Sequence, residues 1–148
     1  MILGIGNDII DIRRIEASLT RRGARFINRL FTLDEQSFCE SRFHPPHAYA
    51  RYYAIKEAAV KALGTGFSCG VGWRSVEVVR GTFKKPTLAF HDAAAARLAD
   101  MTPAGWHAGH DMSVSDEPPY ASAVVILYAV REGEQVATPP PTLYRPKI

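Results

Sequence analysis

Hydrophobic and polar positions change period several times along this chain. Helical spacing is clearest over residues 49–63, where Ile55, Ala58, Ala59, Ala62 and Leu63 share one face. Gly64 follows the last of them, a position where helices commonly end in a left-handed residue. Ala54, Glu57, Lys61 and Gly64 form a second stripe on the same helix. Earlier, Ile12, Ile15 and Leu19 set out another helix, with Arg13, Arg14, Arg21, Arg22 and Arg25 on or beyond its exposed side. Residues 1–7 read as a buried strand whose glycines admit another backbone, with Asp8 at its carboxyl end. Phe26, Ile27, Leu30 and Phe31 are expected in the core. Thr32-Leu33-Asp34-Glu35 fits a capping box and predicts a helix from Leu33 to about Arg42. His44-Pro45-Pro46-His47 is expected as a loop that breaks the pattern. Residues 67–72 form a glycine-containing loop, and short strands follow over 73–79 and 87–90, with a turn starting at Gly81. An alanine-rich helix is predicted over 93–101. Strands over 107–115 and 120–130 then flank the turn Asp116-Glu117-Pro118-Pro119.

Composition narrows the class. At 148 residues with 47% apolar and 22% charged positions, the chain suits one soluble globular domain with a real core. A net charge of +3 is mildly basic and suits an anionic ligand or an acidic protein partner. No dense Lys/Arg run or interleaved aromatic stretch points to nucleic acid. Cys39 and Cys69 cannot build a disulfide framework, which favours a reducing compartment. The start lacks the basic region of a signal peptide. The longest apolar stretch, residues 121–130, is half of the ~20 residues a membrane helix needs. The expectation is a cytoplasmic protein bound to neither nucleic acid nor membrane. After Arg131, Thr138-Pro139-Pro140-Pro141 and Arg145-Pro146 suggest an extended Pro-rich tail over 131–148, distinct from a domain over 1–130.

Candidate chemistry collects in two stretches. One is Gly4-Ile5-Gly6-Asn7-Asp8 followed by Asp11-Ile12-Arg13-Arg14-Ile15; the other is Lys56-Glu57-Ala58, Lys61-Ala62 and Gly64-Thr65-Gly66. Glu57 and Lys61 are four apart, about 6 Å along a helix axis and on one face. The residues alone leave two readings: an exposed ion pair worth ~0.3–0.5 kcal/mol, or part of a site. Asp8 reads equally as a helix cap or a ligand. The arginines read as a solvated face or as a docking surface for an acidic partner.

Taken together, the two stretches resemble the holo-acyl-carrier-protein synthase family of small phosphopantetheinyl transferases. Its pattern opens with Gly-Ile-Gly-x-Asp and an Arg-bearing helix, and continues with Lys-Glu-Ala-x-x-Lys-Ala-x-Gly-Thr-Gly. The resemblance covers residues 1 to about 130. It implies an α+β fold, an antiparallel sheet packed against a long central helix, assembled as a homotrimer with active sites between subunits. It implies transfer of the phosphopantetheine arm of coenzyme A to a serine of apo acyl carrier protein, in fatty-acid biosynthesis. On that resemblance Asp8, Glu57 and Lys61 are catalytic. Asp8 and Glu57 hold magnesium against the pyrophosphate, and Lys61 lies on the phosphates. Two carboxylates ~4 Å apart repel by about 4 kcal/mol at an effective dielectric of 20, a cost a divalent cation removes; hard oxygen ligands suit magnesium. Gly64, Thr65, Gly66, Arg51 and Ser113 are implied coenzyme A contacts, with backbone amides of the glycine-rich turn approaching the nucleotide. Arg14, then Arg13, Arg21, Arg25 and Phe26, are the carrier-protein contacts.

Two positions depart from the family pattern. Tyr52 stands where the family has arginine, with Arg51 one residue earlier, and Asp116 stands where a Ser-x-Ser-His segment ends in histidine. A transferase for a secondary-metabolism carrier domain, and a non-catalytic coenzyme A or nucleotide-binding module, are the alternative readings.

Overall fold

The first strand starts at the second residue and lies beneath the helix that carries Glu57 and Lys61. The computed structural model describes residues 1–80, 85–131 and 133. In chain order these form β1 (Ile2–Asp11), α1 (Ile12–Leu30), α2 (Leu33–Glu40), α3 (Pro45–Ala62), a 3-10 turn (Trp73–Ser75), β2 (Val76–Arg80), β3 (Pro86–Phe90), α4 (Asp92–Met101), β4 (Trp106–Glu117) and β5 (Tyr120–Arg131). One antiparallel sheet has the order β1-β5-β4, and β2 and β3 form a separate antiparallel pair. The architecture is α+β, with α3 laid across β1 and β5.

The central helix is buried on nearly every side, with Ala48, Ala50, Ala54, Ile55, Ala58, Ala59 and Val60 fully enclosed. Small side chains let it come close to the sheet, and two glycines of β1 let it come closer. A Cβ on Gly4 would lie 2.0 Å from the Ala62 carbonyl oxygen, and one on Gly6 would lie 1.8 Å from that of Ala58. The Gly-x-Gly spacing therefore places both glycines on the strand face that touches α3. At its end, Leu63 caps α3 and Gly64 takes the left-handed conformation at φ 72°.

The start of α3 corrects the sequence reading. His44–His47 is not a loop: His44 is the N-cap, and the helix begins at Pro45. Prolines at the first two helical positions cost nothing there, because those N–H groups have no partner within the helix. The capping box between Thr32 and Glu35 forms as expected, and α2 ends at Glu40, two residues short of the prediction. Asp11 caps α1 by accepting from the Arg13 N–H, and Gly23, at φ 46°, kinks that helix.

Three strand expectations also change. β1 runs four residues further than predicted, so Asp8 sits within it, and only one of its faces is buried. Ile5 and Ile9 are 59% and 63% exposed, leaving an open apolar face on the three-stranded sheet. Residues 73–75 make a 3-10 turn before β2 begins. β4 extends to Glu117, so Asp116 is a strand residue facing Ala121 of β5, with the turn left to Pro118 and Pro119. The expected turn at Gly81 and the tail beyond residue 133 lie outside the described residues. Among the described residues, no helix is long and apolar enough to cross a membrane.

Candidate active site

Alternation along β1 puts Gly4, Gly6, Asp8 and Ile10 on the face toward α3. Because the two glycines bring the helix onto that face, Asp8 meets the Glu57–Lys61 stripe. The Lys61 Nζ donates to Asp8 Oδ1 at 2.7 Å and to the Asn7 carbonyl at 3.0 Å. The other carboxylate oxygen, Asp8 Oδ2, is buried without a hydrogen-bond partner. Glu57 lies one turn before Lys61. Burial raises its carboxyl above the ordinary range, and the negative charge of Asp8 raises it further; Lys61 and the Tyr53 hydroxyl act in the opposite direction. Asp8 and Glu57 are near enough for the charge of one to act on the other.

An orphaned, buried carboxylate oxygen beside a second carboxylate is costly unless something completes it. That donor set fits a divalent cation with a preference for oxygen. Among the described residues no group of three His, Cys, Asp or Glu side chains comes together. An ion here would therefore take the rest of its shell from water and substrate, which is the habit of magnesium.

The arginines of α1 border this cluster. Arg14, Arg21, Phe26 and Tyr53 line a hollow of about 360 Å³. A second hollow, of about 690 Å³, is lined by Arg21, Arg22, Arg25, Arg29, Tyr53 and Trp73. Tyr53 belongs to both and stands beside Glu57. The arginines and the carboxylates thus share one margin. Arg13 is the exception: its guanidinium is committed to Asp11, with Nη2 2.5 Å from Oδ2.

Arg51 and Ser113 are not part of this cluster. Arg51 Nη1 lies 3.2 Å from Asp116 Oδ1, and His47 Nδ1 lies 3.9 Å from Asp116 Oδ2. Asp8 and Asp116 stand on opposite edge strands of the sheet, two strand spacings or roughly 10 Å across, and are offset along it because they face Ala123 and Ala121 of β5. Ser113 is exposed between inward-facing Met112 and Val114, on the face away from α3. Position 52 itself offers no group to a site, since Tyr52 is buried and stacked on Phe38 at 5.4 Å. The amides of the glycine-rich turn are a further correction. Gly64 and Gly66 donate to the Lys61 and Val60 carbonyls, so both N–H groups are spent closing α3.

Comparison with known proteins establishes the family. The family model for the 4'-phosphopantetheinyl transferase superfamily matches residues 4–121, most of the chain. The chain belongs to this superfamily. It is 50% identical over 130 residues to a holo-acyl-carrier-protein synthase of Methylobacterium radiotolerans, covering 88% of this chain and 96% of that one. A holo-acyl-carrier-protein synthase of Rhizobium meliloti is 48% identical, covering 88% and 94%. The crystal structure of the Neisseria meningitidis holo-acyl-carrier-protein synthase superposes with a TM-score of 0.76 at 30% identity, covering 86% of this chain and 99% of that one. The Bacillus anthracis enzyme, solved in complex with CoA (3',5'-ADP), gives 0.68 at 29% identity, covering 86% and 96%.

Two neighbours of the candidate residues carry no motif: Tyr53 stands beside Glu57 and His47 beside Asp116. Tyr53 is four residues before Glu57 and His47 four before Arg51, so helical spacing held the signal for both. Asp116 has a defined test. Asp116→Asn removes a half-buried ion pair, worth about 1 kcal/mol or less. It should lower the melting temperature slightly and turnover by tenfold or less in steady-state kinetics. A turnover loss matching that of Glu57→Gln would give Asp116 a direct part in the chemistry.

Proposed function

We propose that this transferase moves the 4'-phosphopantetheine arm of coenzyme A onto a serine of apo acyl carrier protein and releases 3',5'-ADP. The observation that carries this reading is the meeting of Asp8, Glu57 and Lys61 at the rim of an arginine-lined hollow. The names of the relatives and the CoA complex of the Bacillus anthracis enzyme support it. In the reaction, the serine oxygen bonds to the phosphorus that bears pantetheine, and the bond from that phosphorus to the bridging pyrophosphate oxygen breaks. Glu57 accepts the serine proton. Lys61 neutralises the charge on the departing phosphate. Asp8 and Glu57 would hold magnesium, which when bound stabilises charge on the pyrophosphate oxygens. Thr65 and the side-chain-free Gly64 and Gly66 leave room for the nucleotide beside Lys61. Arg14, Arg21, Arg25 and Phe26 receive the acidic carrier protein, where arginine fixes orientation as well as charge.

The open sheet face, with Ile5, Ile9, Tyr120 and Val124 exposed, supports self-association as a homotrimer. In such an assembly a neighbouring subunit brings its Arg51 and Ser113 toward the Asp8 cluster, which one subunit alone does not. Residues 1–130 form the transferase domain, and the protein works in the cytoplasm.

The deciding experiment incubates the protein with coenzyme A, magnesium and a panel of apo carrier proteins. A mass gain of one phosphopantetheine arm on the fatty-acid carrier is expected. A gain only on secondary-metabolism carrier domains would reassign the substrate, and coenzyme A binding with no gain would mark a non-catalytic module. Docking has its own test. Arg14→Glu should raise the carrier KM tenfold or more, about 1.4 kcal/mol or above, with the coenzyme A KM unchanged. Carrier affinity should also fall with salt, since the Debye length is about 8 Å at physiological ionic strength. Equal shifts in both KM values would make Arg14 structural.

A further inference from the structure

Lys56 is fully buried, and all three protons of its ammonium are used. Nζ donates to the Trp73 carbonyl at 2.9 Å and to the Val76 carbonyl at 2.7 Å, and it pairs with Glu35 Oε2 at 2.8 Å. Glu35 is as deeply buried and also accepts from the backbone N–H groups of Val78 and Thr32. A buried ion pair is weak grounds for a stability role, because apolar replacements often serve as well. This pair does something an apolar pair cannot: it grips the backbone of the 3-10 turn and of β2 from the residue next to Glu57.

We propose that Lys56 is a positioning residue for the carrier-facing wall of the site. The gripped carbonyl belongs to Trp73, whose ring stacks on Phe67 at 3.8 Å and packs on Tyr53 at 4.8 Å. Trp73 and Tyr53 line the larger arginine-rimmed hollow, and Tyr53 also stands beside Glu57. Holding the Trp73 carbonyl fixes where its ring lies, and the ring in turn backs Tyr53. The inference rests on the reading of this hollow as the carrier-protein side.

Two variants test it. Lys56→Met withdraws the grip and leaves the Trp73 side chain in place. Trp73→Ala removes the ring but keeps the carbonyl that Lys56 holds. Both should raise the carrier KM about tenfold with the coenzyme A KM within about twofold, and only Lys56→Met should lower the melting temperature strongly. In a Trp106→Phe background, Lys56→Met should also make Trp73 more open to acrylamide quenching. Folded Lys56→Met with an unchanged carrier KM or unchanged quenching overturns the proposal. Equal rises in both KM values overturn it too. Should Lys56→Met fail to fold, an unchanged carrier KM in Trp73→Ala overturns it. A wild-type chain that modifies no carrier would instead remove the functional reading, with the quenching result still deciding whether Lys56 positions Trp73.

Discussion

Gly6→Ala is expected to cripple both folding and transfer. The added Cβ would lie 1.8 Å from the Ala58 carbonyl oxygen, 2.7 Å from the Ala62 nitrogen and 2.8 Å from the Ala58 carbonyl carbon. All three are main-chain atoms of α3, so no side chain can rotate away and the helix itself must move. Overpacking of a core usually costs 1–3 kcal/mol and occasionally more; backbone on backbone belongs at about 3 kcal/mol or above. Any fraction that folds also carries Glu57 and Lys61 away from Asp8, and a displacement near 1 Å costs about 10²-fold in rate. Gly72→Ala is the control, since its Cβ would meet nothing closer than Ser75 Oγ at 3.9 Å. Urea denaturation and turnover should show Gly72→Ala close to wild type and Gly6→Ala far below it. Wild-type stability in Gly6→Ala would mean that α3 does not need its contact with the strand backbone.

Asp8→Asn and Glu57→Gln are expected to lose transfer by about 10³-fold or more while staying folded. Glu57→Gln removes the proton acceptor, and positioned acid–base catalysis is worth ~10²–10⁴-fold. Either change also halves the carboxylate pair. Stability does not follow activity. Asp8 Oδ2 has no hydrogen-bond partner, and the charge of Asp8 helps to hold the Glu57 carboxyl above its ordinary range. Neutralising Asp8 relieves that conflict but also gives up the 2.7 Å ion pair with Lys61, two opposing changes, so the melting temperature of Asp8→Asn should stay within a few degrees of the wild type. Chelator should abolish wild-type transfer and magnesium restore it. Undiminished turnover in chelator would sink the metal role of this pair.

Much of this site was legible in the residues, and the reason is local. The Glu57–Lys61 stripe, the capping box at Thr32 and the left-handed Gly64 are each written within a few positions of sequence. The two-block resemblance then joined Asp8 to Glu57. What escaped depends on distant partners. Lys56 is only a motif position in the sequence, and its meeting with Glu35, 21 positions earlier, and with two carbonyls further along the chain is what explains its burial. Arg51 and Asp116 are paired across 65 positions. The two prolines suggest a break because proline usually ends a helix, whereas here they open one. Amide availability at Gly64 and Gly66 was beyond reach as well, since composition does not say which N–H groups the helix end consumes.

The contact between α3 and the bare backbone of β1 sets the tolerance of the chemistry. In most cores a layer of side chains separates strand from helix, and that layer acts as a compliant gasket that repacks when a neighbour changes. Here, at Gly4 and Gly6, the gasket is missing, so the span from Asp8 to Glu57 is gauged by covalent main-chain dimensions. Substitutions elsewhere in the core should therefore change how long the protein survives heat without retuning the distance between its reacting groups. Variation in substrate range should arise at the arginine rim, whose long side chains are free to be exchanged one by one while the gauge stays fixed.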